Sequence, residues 1–140
     1  MKRRRRTEIL IEGDPLLAKD LAKSIITTYE CLEIVPPQYG LTMIKMRESA
    51  QNSLFYIGEV LVTEAKVEIK GNLGIGIVAD IKEELAKSLA IIDAAYKAEL
   101  PETVEWESRL LEAERNINRE RAKKQAELFE TKVDFQTMDV

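Results

Sequence analysis

The segment GEVLVTEAKVEIKGNLGIGIVADIKEELAKSLAIIDAA, residues 58–95, carries the clearest structural pattern of the chain. Its residues 60–69 alternate between apolar and polar side chains, which is the period of two expected for a strand with one buried face. Gly71-Asn72 predicts a two-residue hairpin turn, because both residue types tolerate positive φ. The alternation resumes over residues 73–79, so this part of the chain predicts two antiparallel strands.

The period changes after this hairpin. Apolar residues recur at steps of three or four, as they do on one face of a helix: Ile81, Leu85, Leu89, Ile92 and Tyr96. Asp80 and Glu83 have the spacing of a capping box, which predicts that Asp80 caps the start of this helix. Two strands and a helix together predict an α+β unit.

Two further helices are expected before this segment, over residues 3–12 and 14–29, with Gly13 between them. Asp14-Pro15 marks the start of the second helix, because aspartate is a favoured N-cap and proline is well accommodated at the first helical position. Both helices are available to cover one face of a sheet.

The region between the second helix and the central segment predicts two more strands, over residues 31–35 and 41–47. Pro36-Pro37 and Gly40 are expected to separate them, because consecutive prolines cannot donate hydrogen bonds to a central ladder. The complete prediction is an α+β fold with an antiparallel sheet of about four strands flanked by helices. Residues 1–99 are expected to form this core domain.

Residues 100–140 are expected to form a helical arm with a closing motif. Leu100-Pro101 marks the boundary, and the absence of proline and glycine over residues 102–129 predicts one long helix. Its apolar stripe shifts near residues 116–118, so the helix either breaks there or packs its second half on a different surface. The arm is expected to pack on the core or on a partner subunit, and alternation over residues 131–138 is compatible with a short additional strand.

Composition narrows the function classes. The chain has 140 residues and a formal net charge of -4, so it has no overall bias toward nucleic acid or anionic membranes. The one basic cluster, residues 2–6, is interpreted as the solvated end of the first helix. The alternative, a nucleic-acid or membrane-surface patch, lacks interleaved aromatic residues and a second basic patch, so neither partner is expected.

No apolar run approaches the ~20 residues of a membrane span, which predicts a cytoplasmic protein. Cys31 is the single cysteine and is interpreted as a buried small hydrophobic residue. The chain contains no histidine, no paired-cysteine metal pattern and no P-loop, so zinc chemistry and histidine-based catalysis are not expected. These features favour an accessory or interface role over a complete enzyme.

Two carboxylates and three glycines are the remaining candidates for chemistry. Glu59 and Glu64 lie on or beside a predicted strand, and as a pair they could bind a metal or act as general acid and base. The alternative is a solvated strand face with a salt bridge to Lys66. The glycines, Gly71, Gly74 and Gly76, are better explained by a turn and by close backbone packing than by a phosphate-binding loop.

Five stretches of the sequence resemble one known family. They are EGDP at residues 12–15, GEVLVTEAKVEI at 58–69, GIGIV at 74–78, IIDAA at 91–95 and TKVDFQTM at 131–138. Together they are similar to the PhnG family, the G subunit of the bacterial phosphonate carbon-phosphorus lyase system. The similarity covers nearly the whole chain.

The resemblance implies membership of a core complex with the H, I and J subunits. Together with the ATP-binding L partner, the G, H and I subunits are associated with displacing adenine from ATP by a phosphonate, which gives a ribose 1-phosphonate 5-triphosphate. The chain would then be a subunit of a multi-subunit transferase, with the I subunit as its direct partner and the main site of nucleosidase-like chemistry. The alternative is a purely structural assembly subunit that does not contact substrate.

The resemblance also implies that this chain alone binds no cofactor. The complex would use ATP and magnesium, while the iron-sulfur cluster and S-adenosylmethionine belong to the J subunit, where the carbon-phosphorus bond is cleaved. A homodimer of the isolated chain remains open.

The family provides no established catalytic residue. The residues expected to be functional or to form an interface are Gly58, Glu59, Thr63, Glu64, Thr131, Lys132, Phe135, Thr137 and Met138. Three positions depart from the family pattern. Ile75 stands where an aromatic residue is common, Asp80 where glycine is usual, and Glu130 where a small residue is common.

Overall fold

The computed structural model describes residues 1–47 and 54–138, with side chains over residues 1–43 and 58–131. The described elements are α1 (Arg3–Glu12), α2 (Pro15–Ile26), β1 (Leu32–Arg47), β2 (Leu54–Ile69), β3 (Asn72–Ala79), α3 (Glu83–Lys97) and α4 (Pro101–Met138). The strands form an antiparallel sheet in the order β1-β2-β3. The predicted α+β class and the long C-terminal helix are confirmed, with three described strands where about four were expected.

The missing fourth strand results from a wrong prediction at Pro36-Pro37. β1 continues through both prolines, and its pairing with β2 shifts register between Val35 and Gln38. Prolines are tolerated here because β1 lies at the sheet edge. The register shift also interrupts the ladder where the prolines lack N–H donors. Gly40 likewise pairs within the strand, opposite Val62.

The hairpin between β2 and β3 turns one residue earlier than predicted. Its two turn residues are Lys70 and Gly71, with φ of 49° and 80°, while Asn72 already pairs with Ile69. Positive φ at both central positions is the requirement of this turn type, and Gly71 meets it without strain. The amide of Asn72 supports the turn by donating to the carbonyl oxygens of Ile69 and Lys70.

Helix α3 lies directly against β3 because two glycines leave room for it. A Cβ at Gly74 would overlap the carbonyl oxygen of Ala90, and one at Gly76 would overlap that of Ala86. Alanines on the facing side of α3, including Ala94, complete this close contact. The prediction that close backbone packing explains Gly74 and Gly76 is confirmed.

Helix α3 packs on one face of the sheet, α1 and α2 pack against α3, and α4 contacts α1. Along β2 the residues that face the helices are buried, including Thr63, Ala65 and Val67, and the alternate residues are half-buried. The predicted alternation of this strand is therefore confirmed. The core draws from α1, α2, α3 and the start of α4; its large buried members include Leu10, Leu21, Ile25, Ile69, Ile91, Ile92, Leu100, Trp106 and Leu110.

Helix α4 is continuous to Met138, so both the break near residues 116–118 and the short strand at 131–138 were wrong expectations. Without proline or glycine, the i to i-4 hydrogen bonding continues past the shift of the apolar stripe. Among the described side chains of α4, Ile117 is the last that packs against the core, and every side chain over residues 118–131 is exposed. In the described part of the chain, no helix is both long and apolar enough to cross a bilayer.

Candidate functional site

Thr63 is fully buried where β3 passes into α3. Its hydroxyl donates to the carbonyl oxygen of Asp80 at 2.7 Å and accepts the backbone N–H of Lys82 at 3.0 Å. One side chain on the central strand therefore holds the connection between the last strand and the helix that covers it. These contacts give Thr63 a structural role.

The prediction that Asp80 caps α3 was wrong. The helix begins at Glu83, Lys82 occupies the N-cap position, and no side chain caps it. Asp80 instead has φ of 72°, and its carboxylate accepts the N–H of the next residue, Ile81, at 2.8 Å. A left-handed conformation favours glycine, which explains why glycine is expected at this position and why a short polar residue can replace it.

Glu59 and Glu64 do not form a pair within this chain. They are five residues apart on β2, and an odd spacing on an uninterrupted strand directs side chains to opposite faces. Glu59 is exposed, while Glu64 lies 3.5 Å from the ammonium of Lys66. The salt bridge is the predicted alternative, and the arrangement offers no shared metal or acid-base site.

Gly58 lies beside these carboxylates, opposite Ile44 in the register of β1 and β2. No described atom lies within 4 Å of a Cβ built on it, so the described surroundings do not require glycine here.

The C-terminal candidates lie on the last turns of α4. The hydroxyl of Thr131 donates to the carbonyl oxygen of Glu127 at 3.0 Å, on the exposed surface of the helix. The predictions for Lys132, Phe135, Thr137 and Met138 concern side chains outside the described ones, although their backbone is helical. Glu130 is exposed, so no tight contact at this position constrains its size.

The strongest electrostatic centre was not among the predicted residues. Asp93, on the buried face of α3, is only 4% exposed. Its Oδ1 lies 3.0 Å from Nη2 of Arg6 and 3.2 Å from Nε of Arg3. Its Oδ2 accepts the backbone N–H of Ile75 at 2.9 Å and lies 3.3 Å from Nζ of Lys97. One carboxylate thus joins α1, β3 and α3.

The same cluster covers the outer edge of β3. Arg3 donates to the carbonyl oxygen of Ile75 at 3.3 Å, and Lys97 donates to that of Leu73 at 2.8 Å. Together with Asp93, these side chains satisfy backbone groups that would otherwise be free to pair with another strand. The edge of β3 is therefore protected from strand addition at these positions.

Arg6 is buried, so the interpretation of residues 2–6 as a solvated helix end was wrong for this residue. Its guanidinium carbon lies 3.9 Å from the centroid of the Tyr96 ring, which contacts Trp106 edge-on at 5.8 Å. Burial lowers the pKa of Arg6, and the negative charge of Asp93 opposes that shift. Burial also raises the pKa of Tyr96.

A sequence signal for this cluster existed. Asp93 is an acidic residue among the buried apolar and small residues of α3, Ile91 to Ala95, and such a residue is seldom buried without a charged partner. The basic run at residues 2–6 supplies the partners from the other end of the chain. Periodicity alone cannot pair them, because they are 87 positions apart.

A cavity of about 440 Å³ adjoins the cluster and is lined partly by Arg3, Arg4 and Ile77. The cations around it are already engaged, since Arg3 and Arg6 bind Asp93 and Arg4 lies 3.4 Å from Glu8. The charges of Arg3 and Arg6 join α1 to α3, whereas the exposed pair of Arg4 and Glu8 lies within α1. Within the described residues, no group of three or more acidic or cysteine side chains is placed to hold a metal ion.

Comparison with known proteins defines the class of this chain. A family model described as a phosphonate metabolism protein matches residues 1–139. No curated protein gave a significant sequence match. The chain is therefore a protein of phosphonate metabolism. It belongs to the PhnG family, as its sequence motifs predicted.

Proposed function

We propose that this chain is a subunit of the carbon-phosphorus lyase core complex. In that role it supports the formation of a ribose 1-phosphonate 5-triphosphate from ATP and a phosphonate, with release of adenine. Membership of the PhnG family supports the pathway. The arrangement of charges supports an accessory role, because the buried carboxylate and its cations are bonded to the fold.

The observation that carries the proposal is the uncovered end of α4. Every side chain over residues 118–131 is exposed, and two of them are large and apolar: Leu128 is 70% and Phe129 is 68% exposed. Apart from the ion pair of Arg121 with Glu12, these side chains have no described contact with the core. A helical segment without apolar packing is only marginally stable in water, and its apolar side chains favour contact with another protein. We assign this surface to a partner subunit, with the I subunit as the direct partner and H and J in the same assembly.

In this proposal the reactive groups belong to other subunits of the complex. The complex, including the L partner, would use ATP and magnesium in the cytoplasm, and the J subunit would carry the iron-sulfur cluster and S-adenosylmethionine. No residue of this chain is assigned a catalytic role.

Co-expression with the H, I and J subunits tests the interface. The double variant Leu128→Glu and Phe129→Glu should reduce co-purification of the I subunit at least tenfold. The matched control, Asn118→Glu with Gln125→Glu, adds the same charge at exposed polar positions of α4 and should leave the complex intact. Equal loss in both variants, or no loss in the first, would reject α4 as the docking surface.

A second experiment separates support of the reaction from assembly alone. Glu59→Gln with Glu64→Gln removes both candidate carboxylates without changing the size of either side chain. Adenine release by the reconstituted subunits, with L and ATP present, should be unchanged if the chain is purely structural at this edge. A large drop in rate with an intact complex would instead give these carboxylates a direct part in binding ATP, magnesium or phosphonate.

A further inference from the structure

The two outer edges of the described sheet differ. The edge of β3 is covered by Arg3, Asp93 and Lys97, whereas β1 lies at the opposite edge with no strand beside it in the described part of the chain. Natural proteins usually protect such an edge with charges, prolines or irregularities. In β1 the Pro36-Pro37 pair and the register shifts before Gln38 protect the first half, and a further shift follows Ile44, so residues 38–44 form the regular, unprotected part of this edge.

Along the second half of β1, the N–H and C=O groups of every other residue point away from β2. The carbonyl oxygen of Leu61 accepts the N–H of Asp80 at 2.7 Å, so the polar backbone groups of Leu61 face away from β1. Its partner across the ladder is Leu41. Because opposed residues in an antiparallel pair either exchange both bonds or none, the N–H and C=O of Leu41 point toward the free edge. Tyr39 and Met43, two positions away on each side, have the same orientation.

The side chains at these three positions are large and uncovered. Tyr39 is 62%, Leu41 is 68% and Met43 is 55% exposed. By the register they lie on the face that the helices cover elsewhere, since Tyr39 opposes the buried Thr63. Residues 38–43 contain no charged residue that would repel an incoming strand.

We propose that two copies of this chain pair antiparallel through the outer edge of β1, with Leu41 on the twofold axis. Leu41 then opposes Leu41 of the second copy, and Tyr39 opposes Met43 of the second copy on each side of the axis. The outward N–H and C=O groups of all three residues meet partners. Tyrosine opposite methionine adds a favourable sulfur-aromatic contact, and the uncharged segment opposes itself without like charges.

The same geometry limits the pairing. Pro36-Pro37 lies just beyond the paired residues and provides no N–H groups, so the added ladder ends there. A ladder of about five residues per copy buries less than the ~1,200 Å² of a stable complex, which predicts a weak dimer with a Kd in the micromolar range.

Sedimentation equilibrium of the full-length chain over the micromolar range tests the proposal. The wild type should show a reversible monomer-dimer equilibrium. Leu41→Lys places two like charges on the axis, and Leu41→Pro removes an outward N–H without removing a bond between β1 and β2. Each should raise the Kd at least tenfold while circular dichroism remains that of the wild type.

The control variant is Ile77→Lys, which introduces the same charge at a side chain of β3 that is 51% exposed. It should leave the Kd unchanged. A Leu41→Cys variant in a Cys31→Ser background should also form a covalent dimer on mild oxidation, because paired Cα atoms about 5.5 Å apart are within disulfide range.

Three outcomes would overturn the proposal. The wild type could remain monomeric at every concentration tested. That result includes the case in which the edge of β1 is covered only by another subunit. The dimer could be insensitive to both Leu41 variants. Ile77→Lys could disrupt it as strongly as Leu41→Lys, which would place the contact elsewhere. None of these outcomes bears on the α4 interface, so the dimer can fail while the proposed function stands.

Discussion

The carboxylate of Asp93 accepts the backbone N–H of Ile75 at 2.9 Å and thereby binds α3 to the outer edge of β3. The same carboxylate holds Arg3, Arg6 and Lys97, so one buried acid connects the N-terminal helix, the last strand and the covering helix. This arrangement makes Arg6 part of the core structure and ties the exposed Arg3 to it.

Asp93→Asn should destabilise the fold by about 3 kcal/mol, because it leaves the buried Arg6 without a compensating charge. Urea denaturation measures the change in the free energy of unfolding. Glu64→Gln, which removes a half-exposed partner of Lys66, serves as the control and should cost less than about 1 kcal/mol. Equal effects of the two substitutions would contradict a structural role for the Asp93 cluster.

Gly74→Ala should destabilise by about 2 kcal/mol or more, because the added Cβ overlaps the backbone of α3 and forces the helix away from β3. Gly58→Ala adds the same atom to a strand position with open space and should change stability by no more than about 0.5 kcal/mol. Thermal or urea unfolding measures the free energy of unfolding of both variants. The close approach of α3 to β3 would be refuted by a Gly74→Ala protein as stable as the wild type.

Asp80→Gly and Asp80→Ala separate backbone strain from side-chain bonding. Both remove the carboxylate that accepts the Ile81 N–H, but only alanine keeps a Cβ at φ of 72°. The alanine variant should be less stable than the glycine variant by about 1 kcal/mol, the cost of the left-handed conformation. If the two variants unfold at the same urea concentration, the residue does not retain this conformation in solution.

Thr63→Val keeps the shape of a fully buried side chain but leaves the carbonyl oxygen of Asp80 and the N–H of Lys82 without their partner. The expected loss is about 1–3 kcal/mol of unfolding free energy. Thr131→Val, at an exposed position of α4, should stay within about 0.5 kcal/mol. A stable Thr63→Val protein that no longer supports adenine release would instead point to a direct function for this hydroxyl.

Local patterns in the sequence predicted much of the fold. The bounds of α1 agree with the predicted residues 3–12, and Asp14 caps α2 by accepting the N–H of Leu16 at 2.9 Å. The alternation of β2 and the close packing at Gly74 were also predictable, since each depends on neighbouring residues and on spacing along one element.

The errors occurred where position in the sheet overrides local preference. Pro36-Pro37 lies inside β1 because an edge strand needs hydrogen bonds on one side only. Asp80 precedes α3 without capping it, because Thr63 from another strand holds the connection. The end of α4 is helical in spite of its alternation, since continuous helical hydrogen bonding satisfies the backbone without a partner strand.

The sequence by itself determined the α+β class, most element boundaries and the family, because these depend on periodicity, caps and contiguous motifs. Only the tertiary structure decided that Arg6 is buried against Asp93 and that Glu59 and Glu64 face opposite ways. It also decided that the edge of β3 is covered, while no described strand lies beside β1. The physical reason is distance along the chain. Burial and charge pairing depend on which distant segments come into contact. The spacing of residues within one element does not specify those contacts.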